Sequence, residues 1–358
     1  MKKTLILTTA LAGFAVSATA EELTVMSWGG AYTKSQVEGY HKPFAEKTGV
    51  KVVSVDADNP ATPIKAQVEA GNVTIDVASV EFADAIRLCD EGLVVEIDHA
   101  SLPAAPDGTP ATEDFLPGTL TDCLVSTDVF STVFAYDTEA VGDTAPDSIA
   151  DFFDLEAYPG KRGMRKTAKV NLEMALMADG VPAAEVYGLL ETDEGVDRAF
   201  AKLDAIKDQI VWWEAGAQPP QLLADGEVSL STAYNGRIFN AVIGESQPFD
   251  IVWDGQVYEF EGWVIPKGAP NLENALEFVK YSTSTEPLAR AAEWISYGPP
   301  RQSSGSLVGI YQGDGTTEMG PHLPTTAANL TNALASNFEF WADRETELNE
   351  RFNAWLAN

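Results

Sequence analysis

Short β-branched runs alternate with helix-patterned segments from Leu23 to about Ile265, and this alternation restricts the chain to βαβ units and mainly parallel sheets. Leu23 to Ser27 reads as a strand and Gly29-Gly30 as a turn. Val37, Tyr40 and Phe44 then recur at helical spacing, and Thr48-Gly49 ends that helix before a strand at Val50 to Val55. Pro43 lies inside the helical pattern and predicts a kink. Ile64 to Ala70 reads as a helix, Ile75 to Ser79 as a strand and Ala83 to Glu91 as a helix, and Pro103, Pro106, Pro110 and Pro117 then mark a surface loop. Val129 to Tyr136 is apolar enough for a buried strand that carries the chain into a second half. Further strands are expected at Lys161 to Arg165, Val211 to Trp213, Val228 to Tyr234 and Ile251 to Trp253, with helices at Leu172 to Ala178 and Gly195 to Lys207. Trp263-Val264-Ile265-Pro266 returns the chain to the first half, followed by helices at Leu272 to Tyr281 and Leu288 to Ile295. Leu330, Leu334, Phe338, Trp341, Leu348, Phe352 and Trp355 form a closing apolar stripe, expected to dock on one lobe.

The first twenty residues carry Lys2-Lys3, an apolar stretch from Leu5 to Val16 and a small-residue exit at Ala18-Thr19-Ala20, the pattern of a cleavable export signal. No later segment approaches the roughly 20 apolar residues that spanning a bilayer needs. Without Lys2 and Lys3 the chain holds 21 basic residues against 54 acidic ones, a formal charge of −33. Nucleic acid and anionic membranes are therefore poor partners. Roughly 338 residues, in a chain of 45% apolar composition, exceed what one core usually holds, so two lobes are expected. Cys89 and Cys123, 34 positions apart in an exported chain, favour one disulfide within the first lobe. The three histidines, His41, His99 and His322, lack ligand spacing and are expected on loops or the surface. Neither a phosphate-cradling loop nor a serine nucleophile elbow is present, so no cofactor, metal or catalytic residue is expected.

In an ordered set, several stretches resemble the spermidine/putrescine-binding proteins of bacterial ATP-binding-cassette importers. They are the opening strand with Trp28, Phe44-Ala45-Glu46-Lys47-Thr48-Gly49, Ala233-Tyr234-Asn235-Gly236, Glu261-Gly262-Trp263-Val264-Ile265-Pro266 and Ser296-Tyr297-Gly298-Pro299. The resemblance implies an α/β, two-lobed periplasmic binding protein fold of type II, with one solute held in the cleft. It also implies delivery to membrane permease subunits, a periplasmic location and a monomer. The lobes are expected at 21–133 plus 266–300 and at 134–265 plus 301–358, after the signal at 1–20. Carried over position by position, Trp28, Tyr234 and Tyr297 match cleft aromatics and Glu261 the cleft acid. Two departures stand out. Where the family has an acidic pair the chain reads Arg165-Lys166-Thr167-Ala168-Lys169-Val170, and Glu259 replaces an aromatic.

Glu259 and Glu261 are two apart on an expected strand, so their side chains share a face about 7 Å apart and one ammonium could lie between them. Trp28, Tyr32, Tyr234 and Tyr297 could form an aromatic box, whose ring faces attract a cation by about 0.5–2 kcal/mol. Glu81 is a further acid near the cleft lip, with a helix N-terminal role as its alternative. Arg237 opens a helix after Asn235-Gly236 and suits a ligand carboxylate, unless it neutralises Glu259 or Glu261. Lys166 points the same way more weakly, and one of Trp212 and Trp213 could reach the cleft. The expected ligand is a small aliphatic amine, either putrescine or spermidine or an ω-amino acid such as 4-aminobutyrate. The alternatives are a thiol-dependent transferase of the same fold and an oxyanion or metal carrier.

Overall fold

A computed structural model of the chain describes residues 22–142 and 144–357. The expected export signal at 1–20 lies outside them. Among the described residues ten strands occur: β1 (Glu22–Ser27), β2 (Lys51–Asp56), β3 (Val77–Glu81), β4 (Leu120–Thr121), β5 (Leu124–Asp137), β6 (Arg162–Arg165), β7 (Ile210–Trp213), β8 (Leu230–Tyr234), β9 (Phe249–Val264) and β10 (Leu334–Ala335). They join in the order β2-β1-β3-β9-β5-β8-β6-β7, with β4 paired to β5 and β10 to β9. At one side β2, β1 and β3 are mutually parallel, and at the other β8, β6 and β7 are. Between these blocks run β5 and β9, antiparallel to each other and to the strand each meets. The molecule is thus an α/β fold of two lobes, and the two long strands thread through both.

At 14 and 16 residues, β5 and β9 are long because each serves two cores. Residues 125–132 of β5 pair with 263–257 of β9 beside the first lobe. After a register shift between Thr132 and Phe134, residues 134–137 pair with 252–249 beside the second. The sequence suggested a short strand at Ile251–Trp253 and another carrying Glu259 and Glu261, yet β9 is continuous. Gly255 allows this: at φ +74 it occupies left-handed backbone, and an added Cβ would lie 2.4 Å from Ile149.

The first lobe packs Leu23, Val25, Val77, Tyr40 and Phe44 around Trp263 and Phe278. Full burial of each phenylalanine contributes roughly 1.5–3 kcal/mol. The kink expected at Pro43 takes a specific form. A widened turn, Val37–His41, precedes the helix Lys42–Thr48, which places the proline in its first turn, where the missing N–H costs little. His41 is not a loop residue: it is buried against Phe278, its Nδ1 lies 2.9 Å from Ser54 Oγ, and burial lowers its pKa to about 4. The Cys89–Cys123 disulfide ties the helix Phe82–Asp90 to the start of β5.

The second lobe gathers Phe134, Met164, Leu172 and Leu176 with Trp341, Leu348 and Phe352 from the last helix, Phe338–Ala357. The closing apolar stripe is shorter than its spacing suggested, because Leu334 belongs to β10 and Leu330 is exposed. Nor does that helix dock on one lobe alone. Phe338 packs its ring 5.5 Å from Phe82, and Glu345 pairs with Arg87, both on the first-lobe helix. No helix among the described residues is long and apolar enough to cross a membrane.

Candidate functional site

In a parallel α/β block, polar side chains gather beyond the carboxyl ends of the strands. Here Trp28 follows the end of β1 and Glu81 is the last residue of β3. Gly29 and Gly30, at φ +75 and +58, turn the chain into the helix Gly30–Gln36, and an added Cβ on Gly30 would lie 2.6 Å from Arg237 Nη1. Glycine is what lets the second-lobe arginine approach so closely.

Across β3, β9 and β5, Glu81, Glu261 and Asp128 stand directly opposite one another. Like charges in register destabilise a sheet, so this row is a cost to folding. Asp128 enters the row because the register shifts between Ser126 and Asp128, an irregularity of the kind that re-aims a side chain. All three carboxyls are buried, but they are satisfied differently.

Glu261 Oε1 accepts from Trp28 Nε1 at 2.8 Å and from Ser79 Oγ at 2.9 Å. Asp128 Oδ2 accepts from the Tyr32 hydroxyl at 2.7 Å and Thr127 Oγ1 at 3.0 Å, while its Oδ1 is buried without a partner. Among the described residues no cation lies within ion-pair distance of either acid. Burial therefore pushes Asp128 up to about 7. Burial also pushes Glu261 well above the usual carboxylate range, and the charges of Asp128 and Glu81 add to the effect.

Glu81 is the opposite case. Lys169 Nζ lies 2.7 Å from its Oε2 and Arg165 Nη1 3.2 Å from its Oε1. Burial opposes its charge, but these cations outweigh that and hold Glu81 at about 2. Lys169 also pairs with Glu259. Glu259 and Glu261 do share a face of β9, yet Glu259 is engaged by Lys169 and stands outside the cavity lining. Burial disfavours the Lys169 ammonium, and the two glutamates more than compensate, raising its pKa.

Trp28, Tyr32, Glu81, Tyr234, Arg237, Glu261 and Tyr297 line one cavity, together with Asp128 and Phe130. Phe130 braces the aromatic wall, its ring 5.5 Å from Tyr234 and 5.9 Å from Tyr297. Tyr32 and Tyr297 lie 5.5 Å apart. Trp213 supports Tyr234 from behind at 5.6 Å, and Trp212 packs on Phe352. The protein's own cation already uses part of this box: the Arg165 guanidinium lies 5.9 Å from the Trp28 ring and 5.8 Å from that of Tyr234.

Arg237 neutralises neither Glu259 nor Glu261. It donates through Nη1 to the Gly29 carbonyl at 2.7 Å and through Nη2 to that of Trp28 at 3.5 Å, leaving Nε buried without an acceptor. Lys166 is away from the cavity, paired with exposed Glu214. Asp128, Phe130, Arg165 and Lys169 are the residues that sequence patterning left out of the site. Asp128 was hidden because the shifted register at Thr127 breaks the strand alternation that began at Val129. Arg165 and Lys169 showed only as basic residues in a stretch expected to be acidic.

The cavity lining therefore includes two acids without a cation among the described residues, an arginine whose Nε has no acceptor, and aromatic rings. Among the described residues no cluster of three metal-ligating side chains occurs, and both cysteines are joined to each other, which leaves the thiol-transferase alternative without a nucleophile.

Residues 39–325 match the family model described as bacterial extracellular solute-binding protein. A gamma-aminobutyric acid-binding protein of Pseudomonas aeruginosa PAO1 is 44% identical over 343 residues, covering 96% of this chain and 93% of that protein. The solved PBP AgtB from A. tumefaciens R10, in complex with agropinic acid, is 28% identical with a TM-score of 0.82, covering 94% of this chain and 99% of that one. A solved GABA receptor is 30% identical with a TM-score of 0.79, covering 94% and 98%. A spermidine/putrescine substrate-binding protein of Streptococcus pneumoniae, 16% identical over 94% of this chain and 100% of that one, has a TM-score of 0.69 and shows the shared fold alone.

Proposed function

This chain belongs to the bacterial extracellular solute-binding proteins, and from that premise we propose that it captures a short ω-amino acid, with 4-aminobutyrate as the leading candidate. The observation that carries this reading is the pair Asp128 and Glu261, buried, side by side and, among the described residues, without a cation within ion-pair distance. A ligand ammonium supplies the missing charge, through the charge-assisted bonds that are strong in a dry cleft. The Nε of Arg237, buried without an acceptor in a residue of the same lining, suits a ligand carboxylate. The cavity leaves little room between its lining rings and acids, which favours a short molecule over spermidine. The named relatives that bind gamma-aminobutyric acid support the same choice.

The rest of the assignment follows the role. The protein works in the periplasm after removal of residues 1–20, as a monomer, without catalysing a reaction, and hands its solute to the permease subunits of an ATP-binding-cassette importer. Its lobes comprise 21–133 with 266–300 and 134–265 with 301–358, and the register shift between Thr132 and Phe134 supports the first boundary. Calorimetric titration of the mature protein with 4-aminobutyrate, 5-aminopentanoate, 1,4-diaminobutane and butyrate tests the ligand. Tight binding is expected for the two amino acids. Preference for butyrate, or for the diamine over both amino acids, would refute the proposal.

A further inference from the structure

Glu261 and Glu259 lie two residues apart on one face of β9, so the strand presents two positions for a positive nitrogen about 7 Å apart. The first, between Glu261 and Asp128, faces the cavity. The second, between Glu81 and Glu259, already holds a nitrogen, the Lys169 Nζ, 2.7 Å from Glu81 and paired with Glu259. Lys169 is buried and comes from the other lobe, from the turn between β6 and the helix Asn171–Ala178. The first-lobe acid Glu81 forms both this second position and part of the cavity wall.

We propose that Lys169 is a built-in stand-in for the second ammonium of a short diamine, and so is the residue that confines this site to ligands with one amino group. The inference rests on the reading that Asp128 and Glu261 receive a ligand ammonium. The geometry fills the second position: Lys169 Nζ lies 2.7 Å from Glu81 and is paired with Glu259, so a diamine would set its second nitrogen against that of Lys169. With Lys169 neutral, Glu81 and Glu259 are left to receive that nitrogen. Discrimination here is repulsive as much as attractive, a second cation being refused because its partners are taken.

The test compares wild type and Lys169→Met by calorimetric titration with 4-aminobutyrate, 1-aminobutane and 1,4-diaminobutane. Lys169→Met should bind the diamine about tenfold or more tighter than wild type does, with no comparable gain for 1-aminobutane. A merely structural lysine would give no such ligand-selective gain. If Lys169→Met melts out, millimolar 1,4-diaminobutane should restore its thermal transition where 1-aminobutane does not. In the double variant Lys169→Met/Glu259→Gln, which removes the bridged pair, the diamine gain should vanish. A folded Lys169→Met with unchanged or weaker diamine binding, or an equal gain in the double variant, overturns the inference while the amino-acid reading stands. A wild type that binds none of the three amines overturns both.

Discussion

Replacing Asp128 by asparagine should strengthen the free protein and weaken the complex, a pairing of effects that few site mutations produce. Asparagine keeps an oxygen for the Tyr32 hydroxyl and Thr127 Oγ1 but removes the charge. In the free protein that charge is a burden. Burial raises the carboxyl from an ordinary 3.8 to about 7. The folded state therefore binds more protons than the unfolded state between those limits, and stability falls as pH rises through the window. At about 1.4 kcal/mol per pH unit, the loss reaches on the order of 4 kcal/mol above pH 7. Asp128→Asn should recover up to that amount at pH 8, and the advantage should close as pH is lowered towards 4. Binding responds in the opposite sense. Removing one partner of a buried charge pair costs about 2–5 kcal/mol, at least about 30-fold in affinity. The ligand ammonium also favours the ionised carboxyl, so wild-type binding near pH 6 should release protons that Asp128→Asn does not release. Urea unfolding at pH 5 and pH 8, with calorimetric titration of 4-aminobutyrate in two buffers of different ionisation enthalpy, measures all three. A variant less stable than wild type at pH 8 without ligand, or one with undiminished affinity, refutes the reasoning.

Glu261→Gln should weaken amine binding by about 2 kcal/mol or more, read by titration, and should leave the Trp28 indole with an acceptor. Arg237→Ala should separate the ligand classes: 4-aminobutyrate affinity falls at least about tenfold, whereas that of 1-aminobutane changes much less, because only the former brings a carboxylate. In Cys89→Ser/Cys123→Ser, thermal and urea unfolding should show a loss of up to about 4 kcal/mol from the opened 34-residue loop, with ligand affinity retained in the folded fraction, since the bridge lies away from the cavity.

Much of this architecture could be read from residue patterns because local signals agreed with the tertiary outcome. The β1 strand, its Gly29-Gly30 turn and the helix closing at Gly49, which is left-handed at φ +80, each follow from short-range rules. The candidate site was visible where a residue type was unusual in its setting, as with Trp28 ahead of two glycines and Glu261 within an apolar strand. What escaped notice depends on relations across the lobes or on irregular backbone. Asp128 required the shifted register beside Thr127, and the continuity of β9 required a left-handed Gly255 pressed on Ile149. Lys169 looked like a departure from the acidic pattern, and only the approach of the second lobe to Glu81 and Glu259 gives its charge a partner. His41 misled because a lone histidine carries no periodic cue to its burial against Phe278.

The shared ribbons β5 and β9 place the fulcrum of any jaw movement inside the hydrogen-bonded ladder, next to Asp128 and its neighbour Glu261. A point near a fulcrum travels little while the far rim sweeps widely. Arg237 sits close to the same crossing, just after Tyr234, which pairs with Thr132 of β5. Acids and arginine therefore share the region that moves least, and the length of solute the site accepts is set at the pivot rather than at the rim.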